Sequence, residues 1–323
     1  VRDKHKHDPL LGRCIEDRYQ LIDVLGVGGF GTVYRCYDIA RQTEFAFKTI
    51  IEHKLINQTE IRQRFLQEGR LMSQLKSEYV VTVHATGESD GTLYMVLELV
   101  RGLSLKQHLA RKQKLSLTEA VSVISQILMA LEHSHSAGLI HRDLKPSNIL
   151  FTDLESSKLK LIDFGIAKSL NDPDDNGPKT RTGLVIGTVQ YMAPEQLRKD
   201  LAVGPQADLY ATGILFYEIL CGKTPFQGSQ AEVAAGHLYQ YPPSIDDEVN
   251  VPADVDQWMK TVLSKEPEDR YPDALTMRLA LTKAIVKDEA LLNTTLPIAD
   301  DTVRMTPDVL FMQAFGVNAP DVQ

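Results

Sequence analysis

Residues 141–148 read His-Arg-Asp-Leu-Lys-Pro-Ser-Asn, and fifteen residues beyond Asn148 comes Asp163-Phe164-Gly165. Asp143 offers a carboxylate able to take a hydroxyl proton, and Lys145 a cation able to face a phosphate. Asn148 and Asp163 are hard oxygen donors of the kind that suits Mg²⁺. Between them, Ile149–Phe151 and Leu159–Ile162 run apolar or alternate like two short paired strands. A hairpin with a base at one end and metal ligands at the other is what ATP-dependent phosphoryl transfer to a hydroxyl requires.

Two further patterns belong with such chemistry. Leu25, Gly26, Val27, Gly28, Gly29, Phe30, Gly31, Thr32 and Val33 carry the spacing Gly-x-Gly-x-x-Gly-x-Val. Glycines let backbone amides approach phosphate oxygens with no Cβ in the way. A dinucleotide-binding loop shares the spacing but must open a helix. Here the chain continues as the β-rich Thr32–Asp38, which favours strand–loop–strand. Farther on, Phe65, Glu68, Met72 and Leu75 share one face of a helix expected over Thr59–Leu75. A carboxylate within that apolar stripe is costly unless paired, so Glu68 calls for a cation.

On these motifs the chain resembles the protein kinase superfamily, specifically the bacterial eukaryotic-like Ser/Thr protein kinases, over about residues 19–290. The resemblance implies an α+β, bilobal protein-kinase fold. A small β-rich N-lobe with one helix spans about 19–100, and a larger, mainly helical C-lobe about 104–290. ATP and Mg²⁺ are the implied cofactors. Asp143 becomes the base for the substrate hydroxyl, Lys145 the neutraliser of the γ-phosphate, and Asn148 and Asp163 the metal ligands. Lys48 closes Phe45-Ala46-Phe47-Lys48, where the family usually has Val-Ala-Ile/Val-Lys. It would hold the α- and β-phosphates and pair with Glu68. Phe47 departs from the pattern in a way that could alter packing behind the lysine but not its charge. Leu97 takes the gatekeeper place. The Glu98 carbonyl and Val100 amide would bond the adenine edge, between apolar surfaces of Val33, Ala46 and Leu150.

The same resemblance extends to structure and control. Glu195, in Ala193-Pro194-Glu195, is matched with Arg270 as an ion pair, and Asp208 is likewise a structural residue. Thr188, expected to bond Asp143 and Lys145, favours Ser/Thr over Tyr substrates. Thr180-Arg181-Thr182 matches the family's Thr-x-Thr autophosphorylation site. Phosphate on Thr180 or Thr182 would pair with Arg142, a cation in need of an anion. The implied partners are protein substrates bearing Ser or Thr and a kinase–kinase dimer for trans-autophosphorylation. A nucleotide-binding pseudokinase scaffold is the rival reading. It is disfavoured because Lys48, Asp143, Asn148 and Asp163 are all present.

Composition sets wider bounds. A chain of 323 residues exceeds the usual single core, and 43% hydrophobic with 24% charged residues is ordinary for a globular protein. The net charge of -8 argues against a broad nucleic-acid surface. Cys14, Cys36 and Cys221 lack any Cys-x-x-Cys and read as reduced cytosolic thiols. No apolar run reaches the roughly 20 residues of a membrane span. A cytoplasmic location is therefore expected, with an anchor outside this chain left open.

Residues 1–18 read as a polar, loosely held arm, and 291–323 as a tail. Strands are expected at Val80–Gly87 and Thr92–Val100, joined by an Asp90-Gly91 turn. Ser116 to Glu119 reads as a capping box, and Leu209–Leu220 as a central buried helix ended by Gly222. Asp172-x-Asp174-x-Asn176-Gly177 copies half of a calcium loop, but Gly183 stands where a bidentate Glu is needed. His133 and His135, two apart on a helix, point to different sides and are surface or packed residues.

Overall fold

The computed structural model describes residues 8–28, 31–50, 58–152, 158–164, 189–198 and 201–286. Among these, strands β1 (Cys14–Ile15), β2 (Tyr19–Gly28), β3 (Gly31–Asp38), β4 (Thr43–Ile50), β5 (Val83–Ser89) and β6 (Thr92–Leu97) form one sheet. Its order is β1-β2-β3-β4-β6-β5, antiparallel throughout. Asp90 and Gly91 both take positive φ, +49° and +76°, as a tight two-residue hairpin turn demands.

Period-two alternation gives the sheet two apolar faces. On one, Ala46, Ile50, Leu93, Met95 and Leu97 join a core with Phe65 and Met72 of helix α1 (Gln58–Gln74). On the other, Tyr19, Leu21, Tyr34, Cys36, Phe45, Phe47, Tyr94 and Val96 form a separate buried cluster. The unusual Phe47 belongs here, its ring stacked on Tyr94 at 4.7 Å, on the face opposite Lys48. Its bulk fills the outer cluster rather than crowding the lysine.

That outer cluster corrects the expectation of a loose arm. Leu10, Leu11 and Ile15 pack against it, and β1 pairs with β2. The Tyr34 hydroxyl donates to both Asp8 carboxylate oxygens at 2.9 and 3.0 Å. Arg18 donates twice to the buried Asp38 at 3.0 and 2.8 Å. Charged composition concealed a segment whose few apolar side chains cover an aromatic face.

The second lobe contains α2 (Leu105–Lys112), α3 (Leu117–Ser136), α4 (Pro194–Leu197), α5 (Gln206–Cys221), α6 (Gln230–Tyr239), α7 (Ala253–Val262) and α8 (Ala274–Val286). The capping box forms: Glu119 N–H donates to Ser116 Oγ at 3.3 Å, and Ser116 N–H to the Glu119 carboxylate at 3.0 Å. Helix α5 is buried nearly all round, and Gly222 ends it at φ +75°. A hairpin of β7 (Ile149–Phe151) and β8 (Leu159–Leu161) lies beside α3, with Ile149 opposite Leu161.

Two strand boundaries move. The segment at Val80 does not start β5, because Val81 N–H donates to the Leu161 carbonyl at 2.9 Å and Leu161 N–H to Tyr79 at 2.8 Å. Those bonds tie the sheet lobe to β8. Strand β6 stops at Leu97, where Glu98–Val100 leave the ladder to become the connection between lobes.

Candidate active site

The segment 141–148 closes on itself through its own side chains. Lys145 Nζ donates to Asp143 Oδ2 at 2.5 Å. Asn148 Nδ2 donates to the Asp143 carbonyl at 2.9 Å and to its carboxylate at 3.3 Å. A 3-10 turn at Pro146–Asn148 delivers Asn148 to the start of β7. With its nitrogen engaged by Asp143, the Asn148 amide oxygen accepts from the Ser147 hydroxyl at 3.3 Å and keeps a second lone pair able to ligate. The His141 ring is fully buried, 4.7 Å from the Phe164 ring, with Nε2 donating to the Ile162 carbonyl at 3.0 Å. Burial pushes its basicity down, so it remains a neutral packing group.

Asp208, at the start of α5, holds this loop from beneath. His141 N–H donates to Asp208 Oδ2 at 2.7 Å and Arg142 N–H to Oδ1 at 2.8 Å. His135 Nε2 completes the shell at 2.8 Å. Burial alone would raise this carboxyl, but the bond from His135 and the backbone amides hold it below the ordinary carboxylate range. The sequence places Asp208 as structural; what it structures is the 141–148 loop. His135 is the residue sequence reasoning missed, because nothing in a helical His-x-His reports a carboxylate 73 positions away.

Lys48 projects from β4 and donates to Asp163 Oδ1 at 2.8 Å, with the two side chains 23% and 34% exposed. Asp163 presents its carboxylate from a left-handed backbone, φ +58°. The expected pairing of Lys48 with Glu68 is replaced by this one; it is not among the ion pairs between described residues. Glu68 sits half-buried on α1, between Phe65 and Met72. Asp163 is simply the carboxylate that the hairpin brings to the ammonium.

The sheet register sets Val33 opposite Lys48 and Ala46 opposite Leu97. Leu150, on β7, is bridged to Ser104 at the end of the connection between lobes. The connection passes β7 so closely that a Cβ on Gly102 would lie 1.7 Å from the Phe151 carbonyl oxygen. Gly31 is equally confined, 1.7 Å from the Thr49 carbonyl, so β3 can begin only with glycine. Leu25 and Val27 are well exposed on β2. The Glu98 side chain, unassigned by the sequence, accepts from Lys160 Nζ at 2.9 Å and Thr82 N–H at 3.2 Å. It fastens the connection to β8.

Gly29, Phe30, Thr180, Thr182, Thr188 and the calcium-like segment at 172–183 lie outside the described residues. Among the described residues no group of three or more His, Cys, Asp or Glu could hold a metal. A pair of oxygen donors such as Asn148 and Asp163, completed by phosphate and water, fits the habits of Mg²⁺.

Below the loop, Glu195 of α4 meets Arg270 in a doubly hydrogen-bonded pair at 2.7 and 2.8 Å, both side chains buried. Arg270 spends further donors on the carbonyls of Ser264, Gln206 and Lys265.

This arrangement, a sheet lobe and a helical lobe meeting at Lys48 and Asp163, defines a known class. The family model described as "Protein kinase domain" matches residues 19–282, and the chain belongs to that family. Serine/threonine-protein kinase PrkC of Bacillus subtilis is 35% identical over 281 residues, 86% of this chain and 42% of PrkC. Serine/threonine-protein kinase PknA of Mycobacterium tuberculosis is 37% identical over 270 residues, 81% of this chain and 60% of PknA. The chain thus spans about half the length of these relatives. The crystal structure of the Mycobacterium tuberculosis PknI kinase domain shares the fold, with TM-score 0.67, 24% identity and coverage of 85% of this chain and 98% of that one. That of Rad53 1–466 in complex with AMP-PNP aligns with TM-score 0.65 and 25% identity, over 81% of this chain and 64% of that one.

Proposed function

We propose that this chain transfers the γ-phosphoryl group of Mg·ATP to Ser or Thr hydroxyls of protein substrates. The observation that carries the reading is the convergence of Asp143, Lys145 and Asn148 within hydrogen-bond distance of one another, with Asp163 held by Lys48 from the facing sheet. Asp143 orients the attacking hydroxyl and takes its proton as the new O–P bond forms and the bond to the β-phosphate oxygen breaks. Lys145 moves from Asp143 to the γ-phosphate oxygens, offsetting charge where it develops. Lys48 serves the α- and β-phosphates, with Glu68 as its carboxylate partner once phosphate is bound. Asn148 and Asp163 would hold Mg²⁺, which would supply positive charge to screen the phosphates. The loop from Leu25 to Val33 covers the phosphates with backbone amides. The adenine lies between Val33, Ala46 and Leu150, its edge bonded by the backbone of Glu98 and Val100.

Phosphorylation of Thr180 or Thr182, in trans within a kinase–kinase dimer, is the proposed control. No helix among the described residues is long and apolar enough to cross a membrane, and the cysteines are free thiols. A cytoplasmic location, where ATP is abundant, follows as part of the proposal.

Radiolabelled transfer from ATP to a protein mixture tests the reading, wild type against Asp143→Asn. Turnover should fall on the order of 10²–10⁴-fold with ATP affinity nearly unchanged. Near-normal turnover in the variant removes Asp143 from its role. In the same incubation, mass spectrometry of peptide 171–187 should show phosphate; an unmodified peptide from active enzyme rules out the proposed control.

A further inference from the structure

Arg142 has φ +59°, a left-handed backbone that a residue with a Cβ keeps only where its surroundings over-determine it. Both polar atoms of its backbone are held. Its N–H donates to Asp208 Oδ1 at 2.8 Å, and its carbonyl accepts from Gln196 Nε2 at 2.9 Å. That carbonyl belongs to the same rigid peptide plane as the Asp143 N–H, which donates to the His141 carbonyl at 2.8 Å. The other end of the glutamine is also used, since Gln196 Oε1 accepts the Ala193 N–H at 3.0 Å. One planar amide therefore spans from the catalytic loop to the segment Ala193–Glu195, which Arg270 in turn locks to the helical lobe. Gln196 also lines a small pocket together with Arg142, Asp143, Lys145 and Asp208.

We propose that Gln196 is a positioning residue for phosphoryl transfer. It fixes the Arg142–Asp143 peptide plane, and through it the Asp143 carboxylate, relative to the segment Ala193–Glu195 that Arg270 anchors. The proposal rests on the kinase reading above and names a residue that the sequence motifs leave unassigned. Glutamine suits the task because it carries a donor and an acceptor on one rigid plane at the required reach. Methionine has similar length and neither group. Glutamate keeps the acceptor toward Ala193 but sets a second acceptor against the Arg142 carbonyl, unless it is protonated and can donate.

Those differences define the experiment, made on the full chain with Mg·ATP and a protein substrate. Gln196→Met should lower kcat about tenfold while KM for ATP stays within about twofold, because Lys48 and Asp163 are untouched. Amide hydrogen exchange in the 140–146 segment should quicken. For Gln196→Glu, kcat relative to wild type should climb as pH is lowered from about 8 to about 5.5, as the carboxyl gains the proton that lets it donate. A Gln196→Met enzyme with kcat within twofold of wild type and unchanged exchange would overturn the proposal. So would a Gln196→Glu deficit that is the same at every pH, the signature of a merely loosened fold. A wild-type chain that fails to transfer phosphate, while exchange in 140–146 still responds to Gln196→Met, would sink the kinase reading and the catalytic half of the proposal with it, leaving only the hold of Gln196 on the loop.

Discussion

Two ion pairs separate the part of this molecule built to stay from the part built to change partners. Arg270 and Glu195 are both buried, joined by two hydrogen bonds, and the guanidinium's other donors are used on three carbonyls. Lys48 and Asp163 share one bond, and each keeps a quarter to a third of its surface in water. A saturated buried pair cannot be rearranged without stranding a charge. A single-bonded, half-exposed pair can be exchanged for a phosphate or a metal at little cost. The helical lobe thus holds the 141–148 loop in fixed geometry, and the sheet lobe meets it through the singly bonded, partly exposed Lys48–Asp163 contact.

The largest expected effect comes from breaking the fixed pair. Arg270→Met strands the Glu195 carboxylate and three backbone carbonyls, and should cost about 3–5 kcal/mol in urea unfolding. A loss below about 1 kcal/mol would show that this site has water access and erase the contrast. Next comes the ground beneath the pair, where Arg270 lies 4.8 Å over the Tyr210 ring and the Tyr210 hydroxyl bonds His237 Nδ1 at 2.9 Å. Burial first, and the nearby Lys265 ammonium second, push His237 down to about 4. The unfolded chain takes up this proton near pH 6.5, the folded chain only near 4. Stability is therefore complete above about pH 6.5 and falls as pH drops through that window, by about 3 kcal/mol from this group. His237→Gln should flatten the pH dependence of unfolding between about 4 and 6.5; an unchanged slope would assign the acid sensitivity elsewhere.

The smallest effect on stability should come from the exchangeable pair. Lys48→Met should shift unfolding by less than about 1 kcal/mol, as half-exposed pairs do, while transfer activity collapses. A shift of several kcal/mol would make Lys48–Asp163 a structural pair and weaken the comparison at its root.

Reading residues in order recovers local arrangements better than distant supports. The clustering of Asp143, Lys145 and Asn148, with Asp163 at the end of the next hairpin, is legible because the loop and hairpin keep them close in sequence. The capping box at Ser116, the turn at Asp90-Gly91 and the buried helix ended by Gly222 are legible because their causes are local. Asp208's hold on His141 crosses 67 positions, and the bond from Gln196 to Arg142 crosses 54. Both act on backbone atoms, which any residue type presents alike, so no side-chain pattern announces them. The ordered arm from Asp8 to Arg18 was hidden for a related reason. Its charged composition says nothing of the aromatic outer face that Leu10, Leu11 and Ile15 cover.

By itself, the sequence determined which polar groups gather in the 141–148 loop and at Asp163, and that two lobes of different secondary structure must carry them. Only the tertiary structure decided which carboxylate Lys48 holds, what the Glu98 side chain fastens, and how a left-handed Arg142 is kept in place. The physical reason is one of range. Residue type and short spacing encode chemistry and local hydrogen bonds, while the choice among competing partners is made by whichever group the packed chain brings within about 3 Å.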